Sequence, residues 1–473
     1  MHHHCQNYAR SKAGFAMPGA GLPVIEPGMP TPAGTGLTRR SLALRSLGLG
    51  MAVYGAGAMT NSERVEAAIN DALAEHKVVI SIFFDGGWDA LSVLAPFGTD
   101  HKHEANAAKL RPGLSGNAAI PRAQAKVFKA DPSLSWHPAA TALSDLWDGT
   151  DVGMAVAPAV GYPNANQSHF TSRHFWEVGA LDVGGTTGWM GRYLDQVGRP
   201  DLPIQGISMG GNLSPMQATA NVPVSAVYDI ANYSYDYPHS WGDMSDAATR
   251  ALRGLGARAT ADAQLATARM VTGASFQLVD DLTAAQSAAA PADGLYGSTP
   301  TEMGARLRDT ARLLDTRISG SSLPIRCISM SAQGGYDTHS NETDSFATDL
   351  KANCDAIKAF WQDLKNRGQD DRVLMLVWSE FGRRPEENGS GGCDHGAAGT
   401  AFVIGKNVKQ GLIGEFPGLK AAGSTDSGLS DDGNLRNTSD FRSIEAAVLE
   451  QWLDTDATAI LPGIAGIPRA QLL

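Results

Sequence analysis

Cysteine is scarce in this chain. Its four copies, Cys5, Cys327, Cys354 and Cys393, lie far apart with no CxxC spacing, which excludes a zinc ribbon or a thioredoxin-like redox pair. In an exported protein Cys327–Cys354 is the one disulfide to consider. Buried free thiols are the favoured reading, because unpaired cysteine packs as a small hydrophobe. A basic stripe interleaved with aromatics is also missing. Lys and Arg number 38 against 49 Asp and Glu, a formal net charge of −11, which argues against a nucleic-acid-binding surface. Heptads and internal repeats are absent, and no apolar run is long enough to span a bilayer as an ordinary helix.

At 473 residues the chain can form one large α/β domain or two smaller ones. Residues 1–36 are rich in Pro, Gly and Ala, lack hydrophobic periodicity and read as disordered. The paired Arg39-Arg40 precede the short apolar run Leu47–Met59, which contains Ala56-Gly57-Ala58. That order reads as a twin-arginine export signal with a small-residue cleavage site. The expected organisation is therefore a tail plus signal over 1–60 and a single domain over 61–473. It implies the twin-arginine machinery as a partner, a periplasmic or extracellular location, and no integral membrane segment after signal removal.

From there, apolar runs alternate with amphipathic segments. Lys77–Phe84, Val152–Ala157, Ile204–Ser208, Leu323–Met330, Val373–Trp378 and Ala401–Ile404 have the length and continuity of buried parallel strands. Helices are expected over Ser62–Ala74, Ala139–Trp147, Ser168–Gly179, Trp189–Val197, Thr301–Ile318, Asp344–Asn366 and Asp440–Trp452. Residues 98–135 read as polar loop with a turn at Arg111-Pro112-Gly113. Residues 209–300, turn-rich and then Ala-rich, read as a helical insertion or lid. The alternation argues for a doubly wound, mostly parallel sheet.

Groups able to bind ligands recur just past these strands. Asp85 and Asp89 follow the first, Asp337 and His339 the fourth, and Glu380, Arg383, Asn388, Asp394 and His395 the fifth. Ligands of open α/β sheets bind at such carboxyl ends. Oxygen and imidazole donors without cysteine suit zinc, manganese, magnesium or calcium. A pair of such ions would clamp both the attacking and the leaving oxygen of phosphoryl or sulfuryl transfer. Arg383 or Arg384 can grip non-bridging oxygens. Ser168, at a helix N-terminus, suits either an N-cap or a nucleophile. The same residues would also suit a hydrogen-bonded polar network at the sheet edge.

The strings GGWDAL, YPNANQSHF, GWMGRYLD, GGYDTH, SEFGR, ENGSGGCDHG and DFRSIEAAVLEQWL occur in that order. This combination resembles domain-of-unknown-function family 1501, whose members commonly carry twin-arginine signals and which is grouped with the alkaline phosphatase and sulfatase superfamily. The resemblance implies a three-layer α/β/α sandwich with a mostly parallel sheet, alkaline-phosphatase-like, and a divalent metal at the carboxyl ends of its strands. It implies Ser168 as nucleophile, Asp85 or Asp89 as the first-strand ligand, Asp337 and His339 as a metal pair, and either Glu380-Phe381 or Asp394-His395 as the next pair.

The resulting expectation is an exported, metal-dependent hydrolase of phosphate or sulfate esters, acting on a small-molecule or polysaccharide ester. Ser168 attacks and Arg383 binds substrate oxygens. Asp85, Asp89, Asp337, His339, Glu380, Asp394 and His395 hold metal, and His169 and Asn388 touch substrate. The alternative is a non-catalytic exported binding or assembly protein on a degenerate sulfatase-like scaffold.

Overall fold

Apolar residues on both faces of Val78–Phe83 (β1) bury this strand completely at the centre of a nine-stranded sheet. The computed structural model describes residues 76–233, 244–288, 290–291, 294–318 and 321–473. The signal segment and the helix expected over Ser62–Ala74 lie outside the described residues. The other main strands are Gly153–Gly161 (β2), Gly206–Met209 (β3), Ser225–Val227 (β4), Cys327–Ser331 (β5) and Val373–Trp378 (β6). A hairpin of Arg383–Glu387 (β7) and Cys393–His395 (β8) then precedes Gly399–Gly405 (β9). Across the sheet the order is β2-β9-β6-β1-β5-β3-β4. The short strands Gly411–Leu412 and Ser439–Asp440 pair with β2.

Side-chain alternation along β1 builds two cores. Val78, Ile80 and Ile82 pack with Thr141–Trp147 (α1), Glu302–Asp315 (α6) and Glu342–Asn366 (α7). Val79 and Phe83 face the other way, towards His169–Val178 (α2), Trp189–Val197 (α3) and Phe441–Ala447 (α8). A strand covered on both faces can be apolar at every position, and the molecule is a three-layer α/β sandwich. Between β4 and β5 the chain leaves the sheet as two helices, Met244–Gly256 (α4) and Ala263–Gln286 (α5). The first buries none of its residues, while the second sends Leu278 and Leu282 into the core. Among the described residues no helix is long and apolar enough to cross a membrane.

Two sequence expectations need correction. Ala401–Ile404 belongs to β9, which runs antiparallel to both β6 and β2, while the other sheet pairings are parallel. No helix lies between Trp378 and Gly399, so the chain makes no crossover and returns in the opposite sense. Residues 98–135 are also more ordered than their polarity suggests. They contain the helix Glu104–Leu110 and the short strands Lys126–Val127 and Ser135–Trp136, and Arg111 is buried. Cys327 and Cys354 are buried free thiols.

Register fixes where the chemistry gathers. Phe83, the last residue of β1, is level with Ser331 at the end of β5 and Trp378 at the end of β6. The loops carrying Asp85, Asp337 and Glu380 therefore leave the sheet side by side.

Candidate metal centre

Beyond β1 the chain turns through Gly86 and Gly87, with φ of +119° and +69°, values that side-chain-bearing residues rarely adopt. The turn needs glycine for space as well. A Cβ on Gly86 would lie 2.4 Å from the backbone nitrogen of Asp337, and one on Gly87 would lie 2.2 Å from the Phe381 ring. In return, the Gly86 N–H donates to Glu380 Oε1 at 3.0 Å, and the carbonyl of Asp85 accepts from the Tyr336 N–H at 3.0 Å. The three loops are thereby stitched together, two by backbone alone and the third through the Glu380 carboxylate.

At their meeting point stand three imidazoles and one carboxylate. Nε2 of His169 lies 3.4 Å from Asp337 Oδ1, that of His339 lies 3.2 Å away and that of His395 3.4 Å. The His339 and His395 Nε2 atoms are 2.9 Å apart. In each ring the other nitrogen has an acceptor. His169 Nδ1 lies 2.7 Å from Glu380 Oε1, His339 Nδ1 lies 3.0 Å from Asp394 Oδ1, and His395 Nδ1 lies 2.8 Å from the carbonyl of Gln167. A carboxylate or carbonyl accepts but does not donate, so each Nδ1 carries the proton and each Nε2 turns a lone pair to the common point. Metal-binding histidines are held in this way. His169, Asp337 and His395 alone already bring three donor atoms within 4.8 Å of one another.

Electrostatics agree with the geometry. Burial opposes charge on Asp337, yet the three imidazoles gathered on it, with the Arg383 guanidinium, hold its carboxyl well below the usual range. Glu380 is also buried and is also held low, chiefly by His169. Asp85 goes the other way. Burial and then the nearby Glu380 charge push it up to about 7, against the influence of Arg173 and His169.

The structure redistributes the roles expected from sequence. Asp337, His339 and His395 meet, and His169, expected at substrate, supplies the third imidazole. Glu380 and Asp394 sit behind histidines, with one oxygen of each beside a ring Nδ1. Asp394 remains part exposed, with the Asn388 amide 3.3 Å from its Oδ1. Asn388 shapes the hairpin turn, accepting from the backbone of Ser390 and Gly392 and donating to the His339 carbonyl at 2.9 Å. That accounts for its side chain without substrate.

Arg383 is buried with all three guanidinium nitrogens occupied. Nε reaches the Gly87 carbonyl at 2.7 Å, Nη1 the Cys393 carbonyl at 3.0 Å, and Nη2 the carbonyls of Gly86 and Tyr336 and, at 2.6 Å, Asp337 Oδ1. It clamps the loops. Phe381 is the apolar wall of the cluster, its ring centroid 5.0 Å from that of His169 and 4.9 Å from that of His395.

Asp89 belongs elsewhere. It caps the short helix Ala90–Val93 and pairs with Arg111 through both oxygens. Beside it Glu342 accepts from Ser92 Oγ at 2.7 Å and from Thr338 Oγ1 at 2.9 Å. Cys393 completes this second buried cluster, its thiol pushed up by burial. Asp89, Glu342 and Cys393 bring three donor atoms within 4.8 Å of one another, and an Arg111 guanidinium within bonding reach of the Asp89 oxygens supplies positive charge there. Nothing in the sequence around Arg111 signals this role.

Ser168 stands at the N-cap position of α2 with extended backbone, φ −99° and ψ 126°, but its hydroxyl makes no capping bond. It is half-buried beside His169.

Among solved structures, similar ones include an alkaline phosphatase superfamily protein from Vibrio parahaemolyticus, 9% identical with a TM-score of 0.31, covering 85% of this chain and 69% of that one. Another is the C-terminal periplasmic domain of EcEptC from Escherichia coli, 9% identical with a TM-score of 0.32, covering 84% and 89%. A third is the lipoteichoic acid synthase LtaP from Listeria monocytogenes, 8% identical with a TM-score of 0.30, covering 89% and 79%. These likenesses are distant, and the chemistry of the site rests on its own geometry. No curated protein matches the sequence. The model of a protein family of unknown function, DUF1501, matches residues 151–429, a span that takes in α2, the Asp337 loop and the β7–β8 hairpin. With more than half of its length matched, the chain belongs to the DUF1501 family.

Proposed function

We propose that this protein is an exported, metal-dependent hydrolase of phosphate or sulfate esters. The observation that carries the reading is the convergence of three Nδ1-braced imidazoles on Asp337 Oδ1. His169, His339, His395 and Asp337 would hold the ion. Three imidazole nitrogens and one carboxylate favour a borderline ion such as zinc over magnesium or calcium, which prefer all-oxygen shells. The bound ion would supply Lewis acidity to an ester oxygen.

The remaining chemistry falls to the chain's own groups. Ser168 offers the attacking oxygen. Its hydroxyl does not cap α2, and the helix N-terminus favours negative charge developing there. Asp85, poised at about 7, is the carboxyl best placed in pKa to exchange protons at neutral pH. Phe381 and the buried loop backbones exclude water from one side of the cluster. Export by the twin-arginine route fits such a centre, because a metal site presupposes a folded chain.

One observation favours a second reading, a metal-holding binding protein without turnover. Arg383 is fully engaged by the protein and offers substrate no cationic hold. Metal analysis of the purified protein, joined to assays on aryl phosphate and aryl sulfate esters, separates the two. Stoichiometric metal with turnover that Ser168→Ala abolishes supports the hydrolase. Metal without turnover leaves the binding protein, and absence of metal removes both.

A further inference from the structure

Gln167 is one of six non-glycine residues with positive φ among the described residues, at +58°. It lacks the local tolerance that lets glycine or asparagine occupy the left-handed region. The loop around it is pinned. Tyr162 Oη accepts from the Asn166 N–H at 3.0 Å and lies 2.7 Å from Ser172 Oγ on α2. Among the described residues the Gln167 side chain makes no hydrogen bond. Its carbonyl does, accepting from His395 Nδ1 at 2.8 Å. Two residues on, His169 meets the same ring edge-to-face, with centroids 4.3 Å apart. The segment thus holds His395 from two sides, by a main-chain acceptor and by an imidazole.

This differs from the bracing of the other two rings. Glu380 and Asp394 orient His169 and His339 through side chains. For His395 the acceptor belongs to the backbone, and its direction is set by the left-handed turn. We propose that Gln167 is a positioning residue of the metal centre, acting through its left-handed backbone and not through its side chain. The proposal rests on the metal-centre reading above and adds a residue to it.

The test uses the full chain, metal-free, titrated with Zn²⁺ against a chromophoric chelator. Gln167→Gly and Gln167→Asn, which accept positive φ, should bind zinc within about threefold of the unaltered protein. Gln167→Ile, whose branched Cβ disfavours that region, should bind about 10- to 100-fold more weakly, the range seen when a histidine's outer partner is lost. If Gln167→Ile does not fold, Gln167→Thr, smaller but also branched at Cβ, strains the same φ and should still weaken binding measurably. The second readout is ring-nitrogen NMR of His395 without metal. The Nδ1–H tautomer should dominate in the Gly and Asn variants and lose its dominance in the Ile or Thr variant.

Equal affinity and tautomer in all variants would overturn the proposal, as would a loss in Gln167→Gly as large as in Gln167→Ile. If the unaltered protein takes up no zinc, the metal-centre reading fails, and the His395 tautomer still decides whether Gln167 positions the ring. If zinc binds but esters are not cleaved, only the hydrolase reading fails.

Discussion

His169 Nδ1 lies 2.7 Å from Glu380 Oε1, a carboxylate 211 positions further along the chain. The same oxygen accepts from the Gly86 N–H, so one carboxylate ties β1, β6 and α2 together while aiming His169 Nε2 at Asp337. Glu380→Gln should therefore weaken zinc binding by about 10- to 100-fold without abolishing it, whereas His169→Ala or Asp337→Ala should remove the high-affinity site. Chelator competition distinguishes a graded loss from a complete one. Equal losses in all three variants would place Glu380 among the direct ligands.

Asp89 and Arg111 form a fully buried ion pair. Removing one partner leaves the other charge buried and unmatched, at a cost of about 3–5 kcal/mol. Asp89→Ala should show that loss in chemical denaturation, while protein that still folds keeps its metal stoichiometry. A lower metal content at unchanged stability would return Asp89 to the ligand set.

Gly86→Ala places a methyl 2.4 Å from the Asp337 nitrogen, on a backbone with φ of +119°. Crowding alone costs about 1–3 kcal/mol, and relief can come only by moving the Asp337 loop. The expected result is a lower melting temperature together with a drop in zinc affinity of about tenfold or more. A drop in melting temperature with zinc affinity intact would separate the turn from the site.

Glu342 gives a pH signature. Burial, followed by the Asp89 charge, raises its carboxyl from 4.5 to about 8. A raised folded value means that the folded state keeps a proton the unfolded chain has already released. Stability from this group is thus full below about pH 4.5 and declines as pH rises through about 8. Glu342→Gln cannot titrate. The melting temperature of the variant minus that of the unaltered protein should therefore climb between pH 5 and 8 and level off beyond. A difference that stays flat across that window would mean Glu342 is ionised in the fold.

How much of this could be read beforehand depends on which atoms matter. The apolar strands were legible because burial on both faces leaves a continuous hydrophobic run, and β6 has the bounds its pattern suggests, Val373–Trp378. That Asp85, Asp337 and Glu380 follow strand ends was equally legible. Which oxygen faces an ion and which faces a ring nitrogen was not, since that turns on ångström-scale directions between residues hundreds of positions apart. Arg111, in a polar stretch that reads as loop, carries no mark of burial. The Gln167 carbonyl carries none at all, because every residue has one.

The sequence by itself determined the layered α/β architecture, the family, and the gathering of carboxylates and imidazoles beyond one sheet edge, since these follow from apolar periodicity and from motifs in order. Tertiary structure alone decided the roles. It turned β9 antiparallel for want of a crossover, and it moved Asp89 into an ion pair with Arg111. It closed Arg383 around loop carbonyls, and it set Glu380, Asp394 and the Gln167 carbonyl behind three histidines. The physical reason is that a hydrogen bond or a ligand direction is settled within a few tenths of an ångström, by the packing of segments that the linear order leaves far apart.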